Sequence, residues 1–438
     1  MPNVHLISLG CPRNLVDSEV MLGRLAEAGY SVAGDPEDAD VIVVNTCGFT
    51  TEAADEAVET ILEASAHKEG RCRRLVVCGC LVQRFGRDLS ASLPEVDALV
   101  SVGSAHRIVE AVSSARPLFL LAQPEASPMA DASAPRLCLS RYMANVKIAE
   151  GCLGGCTFCM IPSLRGPLRS RAPEDVAAEA ANLYSMGRRE IVLVAQDTMA
   201  FGLDRPGGED LAGLLRRVSE AAPEAWIRFL YGHPARVTDR LLEAVNEIPN
   251  VCAYFDIPIQ HASDAVLKRM GRRYRKADLA ALFARVRSAV PGAVLRTTLL
   301  TGFPGETEED FRELLDFMEE VRFENLGVFA YSDAEELPSH HLAGHVPEEL
   351  GRERADRLME AQAAISLDIL AGLVGKETDV LILGKTGNPR APFVGRTRFQ
   401  APEVDGFTLV RGKGLRPGSV ARVRVRESET YDLLADAV

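Results

Sequence analysis

The sequence lacks two features that would place it in or across a membrane. No run of about 18 apolar residues occurs, so no membrane span is predicted. Residues 1–6 lack the basic stretch and the apolar core of a secretory signal peptide. Both absences predict a protein of the reducing cytoplasm, where the 10 cysteines are not expected to form disulfides.

An excess of positive charge is also missing. The formal net charge is −13. Residues 373–438 hold 11 basic and 8 acidic residues, a net charge of +3, which leaves −16 for the rest of the chain. We therefore expect no strong nucleic-acid surface, and a neutral or basic partner is favoured.

The 438 residues are too many for one ordinary domain. Two series of short apolar runs alternate with helical patterns, which predicts an α/β protein. The first series predicts an open parallel sheet, and the second predicts a full or partial βα barrel. Short runs with glycine and proline turns then predict a small antiparallel β-barrel. The predicted boundaries are 1–116 for the N-terminal sheet, 117–140 for a linker, 141–372 for the central barrel and 373–438 for the C-terminal barrel.

The strand predictions follow these series. Four strands are predicted in the N-terminal region, at 4–9, 41–44, 75–77 and 98–100. Six are predicted in the central region, at 144–149, 191–195, 227–231, 253–257, 295–300 and 326–331. Four more are predicted in the C-terminal region, at 378–383, 392–399, 408–410 and 419–425.

Three cysteines follow the first strand of the central series. Cys152, Cys156 and Cys159 form a C-x3-C-x2-C loop that contains Gly154 and Gly155. Three thiolates can hold three irons of a 4Fe–4S cluster and leave the fourth iron open to a small molecule. A zinc site is the alternative, but no fourth Cys or His lies in the loop. Three plain buried cysteines are the other alternative.

This loop resembles that of the radical S-adenosylmethionine superfamily. The resemblance implies a βα barrel and an S-adenosylmethionine molecule chelated by the open iron. Polar residues at the ends of later strands resemble cofactor-binding positions, although ordinary turn residues would look the same. The candidates are Gln196, Gln260, Arg296, Gly302 and Glu306. No catalytic residue is predicted beyond the cluster ligands.

The first three strands of the N-terminal region each end near a cysteine. Cys11, Cys47 and Cys80 follow them in turn. The carboxyl ends of parallel strands meet at one edge of a sheet, so these thiols are predicted to converge. A second cluster with an open iron is the interpretation, and chance placement is the alternative.

Both triads together resemble the methylthiotransferase family. The third N-terminal ligand matches the family in the context Gly79-Cys80-Leu81-Val82-Gln83-Arg84, and the C-terminal barrel resembles the TRAM module. The resemblance covers essentially the whole chain. Three segments, at residues 8–19, 194–198 and 256–263, resemble the branch that modifies an aspartate of small-subunit ribosomal protein twelve. Another branch modifies adenosine in transfer RNA and typically has Gln-Met-Asn after the first cysteine, where this chain has Pro12-Arg13-Asn14.

The resemblance implies a reaction and its partners. A methylthio group is added to the β-carbon of the aspartate, with two 4Fe–4S clusters and S-adenosylmethionine as cofactors. An electron donor such as flavodoxin and a sulfur source are implied, and no membrane partner is expected. The alternatives are a transfer-RNA methylthiotransferase and, less favoured, a non-enzymatic iron–sulfur or RNA-binding protein.

Several residues are left without a single interpretation. Arg165, Arg169 and Arg171 follow the cluster loop and are interpreted either as carboxylate-binding groups or as a solvated basic face. Cys72, Cys138 and Cys252 are interpreted as structural, and Cys78 is given no role. The segment at residues 331–338 departs from the Glu-Glu-Gly-Thr pattern expected of relatives, which leaves substrate contacts there undefined.

Overall fold

A computed structural model describes residues 1–438. Its N-terminal region is an open parallel sheet with helices on both faces, which confirms the predicted fold class for this region. In chain order the elements are β1 (Asn3–Ser8), α1 (Pro12–Glu27), β2 (Ser31–Val32), β3 (Val41–Thr46), α2 (Thr51–Ala66), β4 (Arg74–Gly79), α3 (Cys80–Phe85), α4 (Asp88–Ser92), β5 (Ala98–Ser101), α5 (Ile108–Ser113) and β6 (Leu118–Leu120).

The strands of this sheet lie in the order β2-β1-β3-β4-β5-β6 and all run parallel. Its central strands are buried on both faces, as their continuous apolar runs require. Ile42 and Val44 pack on α2, whereas Val41 and Val43 pack on the side of α1 and α5. The edge strands β2 and β6 were not predicted, because two or three residues are too few to show a pattern. β6 lies within the segment predicted as a linker, where it pairs with β5.

The central region contains the six predicted strands, each within two residues of its predicted limits. In chain order the elements are β7 (Met143–Lys147), β8 (Ala149–Glu150), α6 (Ile161–Arg165), β9 (Arg169–Ser170), α7 (Pro173–Ser185), β10 (Glu190–Val194), α8 (Leu211–Ala221), β11 (Trp226–Phe229), α9 (Asp239–Glu247), β12 (Tyr254–Asp256), α10 (Asp264–Arg269), α11 (Lys276–Ala289), β13 (Val294–Thr301), α12 (Glu308–Val321), β14 (Asn325–Ala330) and α13 (Glu348–Ala371).

These strands form a partial barrel. They pair in two parallel sheets, β11-β10-β7 and β12-β13-β14. A single bridge between Ile227 and Val251 continues one sheet toward the other. A core of 52 buried residues fills the space between the strands and the surrounding helices. None of the helices is long and apolar enough to cross a membrane.

The C-terminal region is a closed barrel of five strands in the order β15-β16-β17-β19-β18. These are β15 (Glu377–Lys385), β16 (Phe393–Thr397), β17 (Thr408–Arg411), β18 (Val420–Ser428) and β19 (Leu433–Ala437). One pairing, β17 with β19, is parallel, whereas an antiparallel barrel was predicted. Strand directions cannot alternate all the way round a closed ring of five, so at least one parallel pair is required. The prediction had missed the fifth strand.

A buried ion-pair cluster joins the C-terminal barrel to the central one. Glu190 accepts hydrogen bonds from Arg228 Nε at 2.9 Å and from Arg396 Nη2 at 2.6 Å. The side chains of Glu190 and Arg228 are completely buried, and 3% of the Arg396 side chain is exposed. Glu190 begins β10, so this junction lies at the amino ends of the barrel strands, away from the cysteine loop.

A second junction lies at the same end of the central barrel. Asp405, from the C-terminal barrel, accepts hydrogen bonds from the Tyr254 hydroxyl at 2.7 Å and from Asn325 Nδ2 at 3.2 Å. Trp226, the single tryptophan of the chain, packs in a buried cluster that also contains Leu381 of the C-terminal barrel. The two barrels are therefore joined by buried charges and by apolar packing.

Candidate functional site

The N-terminal cysteines lie at the carboxyl ends of three adjacent strands. Cys11 follows β1, Cys47 follows β3 directly, and Cys80 follows β4 as the first residue of α3. Because β1, β3 and β4 are neighbours in a parallel sheet, their ends open at one edge. The structure therefore places the three thiols on the same side of the molecule.

Gly10 allows the backbone before Cys11 to approach Cys47 closely. It has a φ of +85°, a left-handed conformation that other residues adopt only at a cost. A Cβ added there would lie 2.8 Å from Cys47 Cβ and 3.3 Å from Cys47 Sγ. The turn between β1 and Cys11 thus has room for glycine but not for a larger residue.

We expect Gly10→Ala to damage the N-terminal triad selectively. The alanine methyl would push Cys47 away, in addition to a strain of about 1–2 kcal/mol from the left-handed conformation. Anaerobic reconstitution should then recover about half of the iron bound by the parent chain, if each triad holds one cluster. Gly29→Ala is the control, because Gly29 has a φ of +90° and open space around it. Equal iron in the two variants would contradict the prediction.

The second triad lies in the loop that follows β8. The Cys152 amide donates to the Gly166 carbonyl at 3.1 Å, and the Cys159 amide donates to the Cys156 carbonyl at 3.2 Å. Gly151 has a φ of +78°, and a Cβ there would lie 2.0 Å from the Pro167 carbonyl oxygen. The close approach of these two backbone segments folds the loop so that its thiols face inward.

Both triads face one cavity of about 370 Å³. Its cysteine lining consists of Cys11, Cys47, Cys80, Cys152, Cys156 and Cys159. Apolar side chains form much of the rest of its wall, including Phe49, Phe158, Ile161, Leu164 and Phe329. The sequence indicates two triads, but only the packing of the N-terminal sheet on the central barrel brings them to a shared space.

The donor set fits clusters better than single metal ions. No group of three His, Cys, Asp or Glu side chains lies close enough to hold one ion. A 4Fe–4S cluster binds each cysteine through a different iron, so its ligands are more widely spaced than those of one ion. His233 also lines the cavity, but its Nδ1 accepts a hydrogen bond from the Ala235 amide. Two sets of three thiols in a partly apolar cavity are therefore consistent with two clusters, each with an open iron.

Burial and nearby arginines set the protonation of the thiols. Burial opposes the thiolate of Cys11, but Arg13 and Arg165 outweigh it and lower the Cys11 pKa below its ordinary value. Burial raises the pKa of Cys80 to about 11 despite the hydrogen bond from Arg165. Burial likewise raises the pKa of Cys159 to about 12. Thiolates are the form that binds metal, so iron binding must displace protons from these thiols.

Two of the predicted cofactor residues line the cavity. Gln196 follows β10, and its Nε2 donates to Glu150 Oε1 at 2.7 Å. Gln260 also lines the cavity and has a φ of +72°, so its backbone is held in a strained conformation. Both offer polar groups to a ligand of the cavity.

Three other predicted cofactor residues do not line the cavity. Arg296 lies near the amino end of β13, where its Nη1 donates to Asp256 Oδ1 at 3.0 Å. Gly302 packs under α13, where an added Cβ would lie 2.9 Å from Gly351 Cα. Glu306 is buried and accepts a hydrogen bond from Arg354 at 2.7 Å. The sequence could not indicate this, because the ion pairs with Asp256 and Arg354 and the packing of Gly302 on Gly351 join residues that are 40 to 49 positions apart.

Two of the three arginines after the cluster loop, Arg165 and Arg171, bind carboxylates of the chain itself, in line with one of the two interpretations. Only Arg165 lines the cavity, and it is buried. The Nη atoms of Arg169 donate to the carbonyls of Pro124, Glu125 and Ser127. Arg171 is buried and pairs with carboxylates of α7. Two of the three therefore hold the surrounding chain in place, and none belongs to a solvated face.

Sequence reasoning assigned no role to two residues that line the cavity. Tyr231 follows β11 with a φ of +65°, and its amide donates to Asp256 Oδ2 at 2.9 Å. Arg13 reaches from α1 to the central barrel, where its guanidinium lies 4.7 Å from the centre of the Tyr231 ring. Positive φ at a non-glycine residue is not visible in a sequence, and neither is a contact across 218 positions, so no signal pointed to Tyr231.

The remaining cysteines lie outside the cavity. Cys72, Cys78 and Cys252 are buried, and Cys138 is half-buried. Cys78 lies on the face of the sheet that packs on α1, with its Sγ 3.6 Å from the Val44 carbonyl oxygen. Burial raises the pKa of Cys78 far above its ordinary value, so this thiol stays protonated. It behaves as a small core residue.

Comparison with protein-family models divides the chain into three matched segments. An uncharacterised family, UPF0004, matches residues 3–101. The Radical SAM superfamily matches residues 146–318, and the TRAM domain matches residues 374–438. The two cysteine triads therefore lie in two different family segments.

Full-length relatives are similar over almost the entire chain. The ribosomal protein uS12 methylthiotransferase RimO of Desulfosudis oleivorans is 49% identical over 439 residues, which cover 99% of both chains. The protein of the same name from Geobacter sulfurreducens is 45% identical and covers 99% of this chain and 98% of its own.

Solved structures share the fold at low sequence identity. The radical S-adenosylmethionine methyltransferase TsrM from Kitasatospora setae, with cobalamin and a [4Fe-4S] cluster bound, has a TM-score of 0.57 and 15% identity. The alignment covers 77% of this chain and 74% of TsrM. The cobalamin-dependent radical enzyme OxsB, with S-adenosylmethionine bound, has a TM-score of 0.52 at 14% identity, over 83% of this chain and 58% of OxsB.

Proposed function

Because the chain belongs to the RimO family of ribosomal protein uS12 methylthiotransferases, we propose that it adds a methylthio group to the β-carbon of an aspartate in that ribosomal protein. The observation that best supports this proposal is the convergence of six cysteines on one cavity. A reaction that joins a sulfur group to an unactivated carbon needs a radical source and a sulfur source. Both must lie within reach of the same substrate carbon.

Each triad has a proposed ligand. Cys152, Cys156 and Cys159 hold the 4Fe–4S cluster whose open iron binds S-adenosylmethionine. Cys11, Cys47 and Cys80 hold the auxiliary 4Fe–4S cluster. When bound, these groups supply a radical that removes a hydrogen atom from an unactivated carbon and the methylthio group that replaces it. A side-chain base could not replace this chemistry, because such a C–H bond is not acidic enough.

The protein's own residues shape the space in which this happens. Phe158, Ile161 and Leu164 line the cavity and keep water from its cysteine wall. Gln196 and Gln260 provide the polar contacts that we assign to the cofactor, and Tyr231 lines the same cavity. An electron donor such as flavodoxin and a sulfur source complete the proposed reaction.

The C-terminal barrel supports a protein rather than a nucleic-acid substrate. Three arginines alternate along the exposed face of β18, which is a pattern that could contact phosphates. Each is paired with a carboxylate instead. The pairs are Arg422 with Glu377 and Asp379, Arg424 with Glu377, and Arg426 with Asp436. Arginines neutralised in this way release few counterions on binding nucleic acid, so they add little affinity for it.

One assay tests the substrate directly. The anaerobically reconstituted chain is incubated with S-adenosylmethionine, reductant and sulfide, and ribosomal protein uS12 and transfer RNA are offered separately. Mass spectrometry should find a methylthio-sized gain on an aspartate of the protein and none on the RNA. A gain on an adenosine of the transfer RNA would keep the chemistry and overturn the proposed substrate.

A further prediction concerns the mouth of the cavity. Phe329 lines the cavity and 60% of its surface is exposed, so its ring is open both to the cavity and to the solvent from which a substrate approaches. We expect Phe329→Ala to raise the KM for uS12 about tenfold, which corresponds to about 1.4 kcal/mol of lost contact. Cleavage of S-adenosylmethionine without substrate should not change.

The matched control is Phe407→Ala. Phe407 is 43% exposed and lies in the C-terminal barrel, away from the cavity. Its removal should leave the KM unchanged. If Phe407→Ala raised the KM and Phe329→Ala did not, the substrate would dock on the C-terminal barrel instead.

A further inference from the structure

Arg165 lies between the two cysteine triads. It ends α6, the helix that follows the cysteine loop, and 2% of its side chain is exposed. Its Nη2 donates to Cys80 Sγ at 3.2 Å and to Asn14 Oδ1 at 3.1 Å. A side chain of the central barrel therefore hydrogen-bonds directly to a thiol of the N-terminal triad.

The other end of the guanidinium is anchored by a buried charge network. Its Nη1 donates to Asp17 Oδ2 at 2.8 Å and lies 3.5 Å from Glu150 Oε2. Lys147 contacts the same two carboxylates. Two cations thus face two anions, and this balance is what permits their burial. Asp17 belongs to α1, whereas Glu150 directly precedes the cysteine loop, so the network joins the supports of both triads.

A second arginine crosses the same boundary in the opposite direction. Arg13, on α1, donates from Nε to Cys11 Sγ at 3.4 Å and from Nη1 to the Ala195 carbonyl at 2.8 Å. Each of these arginines therefore contacts one N-terminal thiol and one element of the other domain. Contacts of this kind to ligand residues orient them and adjust the properties of the metal group that they hold.

We propose that Arg165 is a positioning residue that raises the reduction potential of the auxiliary cluster and fixes that cluster relative to the central barrel. An N–H group that donates to a ligand sulfur stabilises the more negative, reduced cluster, and hydrogen bonds to the sulfurs are among the factors that set such potentials. Because the donor comes from the barrel, the auxiliary cluster has its working potential only when the two domains are packed together. The inference rests on the proposed function, since it requires a cluster at the N-terminal triad.

The test measures each cluster alone in the full-length chain. Replacing Cys152, Cys156 and Cys159 with alanine leaves the auxiliary cluster, and replacing Cys11, Cys47 and Cys80 leaves the other one. Arg165→Gln and Arg165→Lys are made in both backgrounds. Iron content and the midpoint potential, from an anaerobic redox titration followed by electron paramagnetic resonance, are then measured.

Arg165→Gln should lower the potential of the auxiliary cluster and leave that of the other cluster unchanged. Arg165→Lys keeps the positive charge beside Asp17 and Glu150 but loses the planar fork that reaches Cys80. It should therefore fold, retain iron and show a smaller shift in the same direction. Arg169→Gln is the control, because the hydrogen bonds of Arg169 go to backbone carbonyls outside the cavity, and it should shift neither potential.

Two results would overturn the proposal: an unchanged auxiliary potential in both Arg165 variants, or equal shifts of the two clusters. Loss of auxiliary iron from Arg165→Gln, with Arg165→Lys loaded and shifted, would support it. If the parent with only the N-terminal triad held no iron, the proposed function itself would fail. The iron content of this parent chain is measured before any arginine is replaced, so a failure of the proposed function can be told apart from a failure of the inference about Arg165.

Discussion

Replacing Cys156 with alanine should abolish the cleavage of S-adenosylmethionine, and replacing Cys47 should spare cleavage but abolish methylthiolation. Cys156 and Cys47 line the same cavity from different domains. A difference in products between the two variants therefore tests whether the two triads have the separate roles that we propose. Without Cys156 the loop offers two thiols, which are too few to hold a cluster with one open iron. No 5′-deoxyadenosine should then form, and all later steps should be lost.

The Cys47 variant keeps the loop triad intact. It should therefore still produce 5′-deoxyadenosine, while mass spectrometry of uS12 should show no methylthio gain. Cys138→Ala is the control for the loss of a cysteine, because Cys138 is half-buried outside the cavity, and both products should form at the parent level. If either Cys156→Ala or Cys47→Ala formed methylthiolated uS12 at the parent level, the replaced cysteine would not be a required cluster ligand.

Replacing Glu190 with alanine should detach the C-terminal barrel from the central one. The substitution leaves the guanidinium groups of Arg228 and Arg396 buried without their carboxylate. Removing one partner of a buried ion pair costs about 3–5 kcal/mol, because the remaining charge stays in a medium that solvates it poorly. A penalty of that size is a large part of the stability of a typical domain.

Trp226 offers a direct measurement of this detachment. It is the only tryptophan of the chain and is buried in the cluster that joins the two barrels. In a urea titration of Glu190→Ala, the fluorescence of Trp226 should change at a lower urea concentration than in the parent chain. The helical signal in far-ultraviolet circular dichroism comes from the N-terminal and central regions, and it should change later than the fluorescence, because undocking precedes unfolding.

The matched control removes an exposed carboxylate from the C-terminal barrel. Glu377 pairs with Arg424 on the surface, and such pairs contribute only about 0–1 kcal/mol. Glu377→Ala should therefore leave the Trp226 transition almost unchanged. Coincident transitions in the Glu190 and Glu377 variants would show that the buried cluster does not hold the barrels together.

The sequence by itself determined the local elements and the two cysteine triads. Continuous apolar runs such as β3 and β4 are buried on both sides, and such runs are visible without a structure. Cysteines after consecutive parallel strands must lie at one edge of the sheet, so Cys11, Cys47 and Cys80 could be grouped in advance. The spacing of the loop cysteines was equally informative, because one short loop must supply all three thiols.

The sequence did not determine features that depend on how separate elements pack together, such as strand pairing and the direction of polar side chains. The short strand β6 and the strand β19, which closes the C-terminal barrel, are recognised by their pairing rather than by their own pattern. Arg296 and Glu306 follow a family pattern, yet neither lines the cavity, because their side chains pair with Asp256 and Arg354. Whether a polar residue near a strand end faces a cavity depends on the partners that pack around it.

Tertiary structure alone decided that the two triads share one cavity, and that Arg13 and Arg165 cross between them. Sequence spacing fixes contacts within a strand, a turn or a helix, because the backbone geometry there repeats. Contacts between domains depend on which surfaces bury their apolar area and pair their charges together, and these surfaces come from distant parts of the chain. The sequence therefore determined which thiols could be grouped into triads, and the packing of the domains determined which side chains lie beside them.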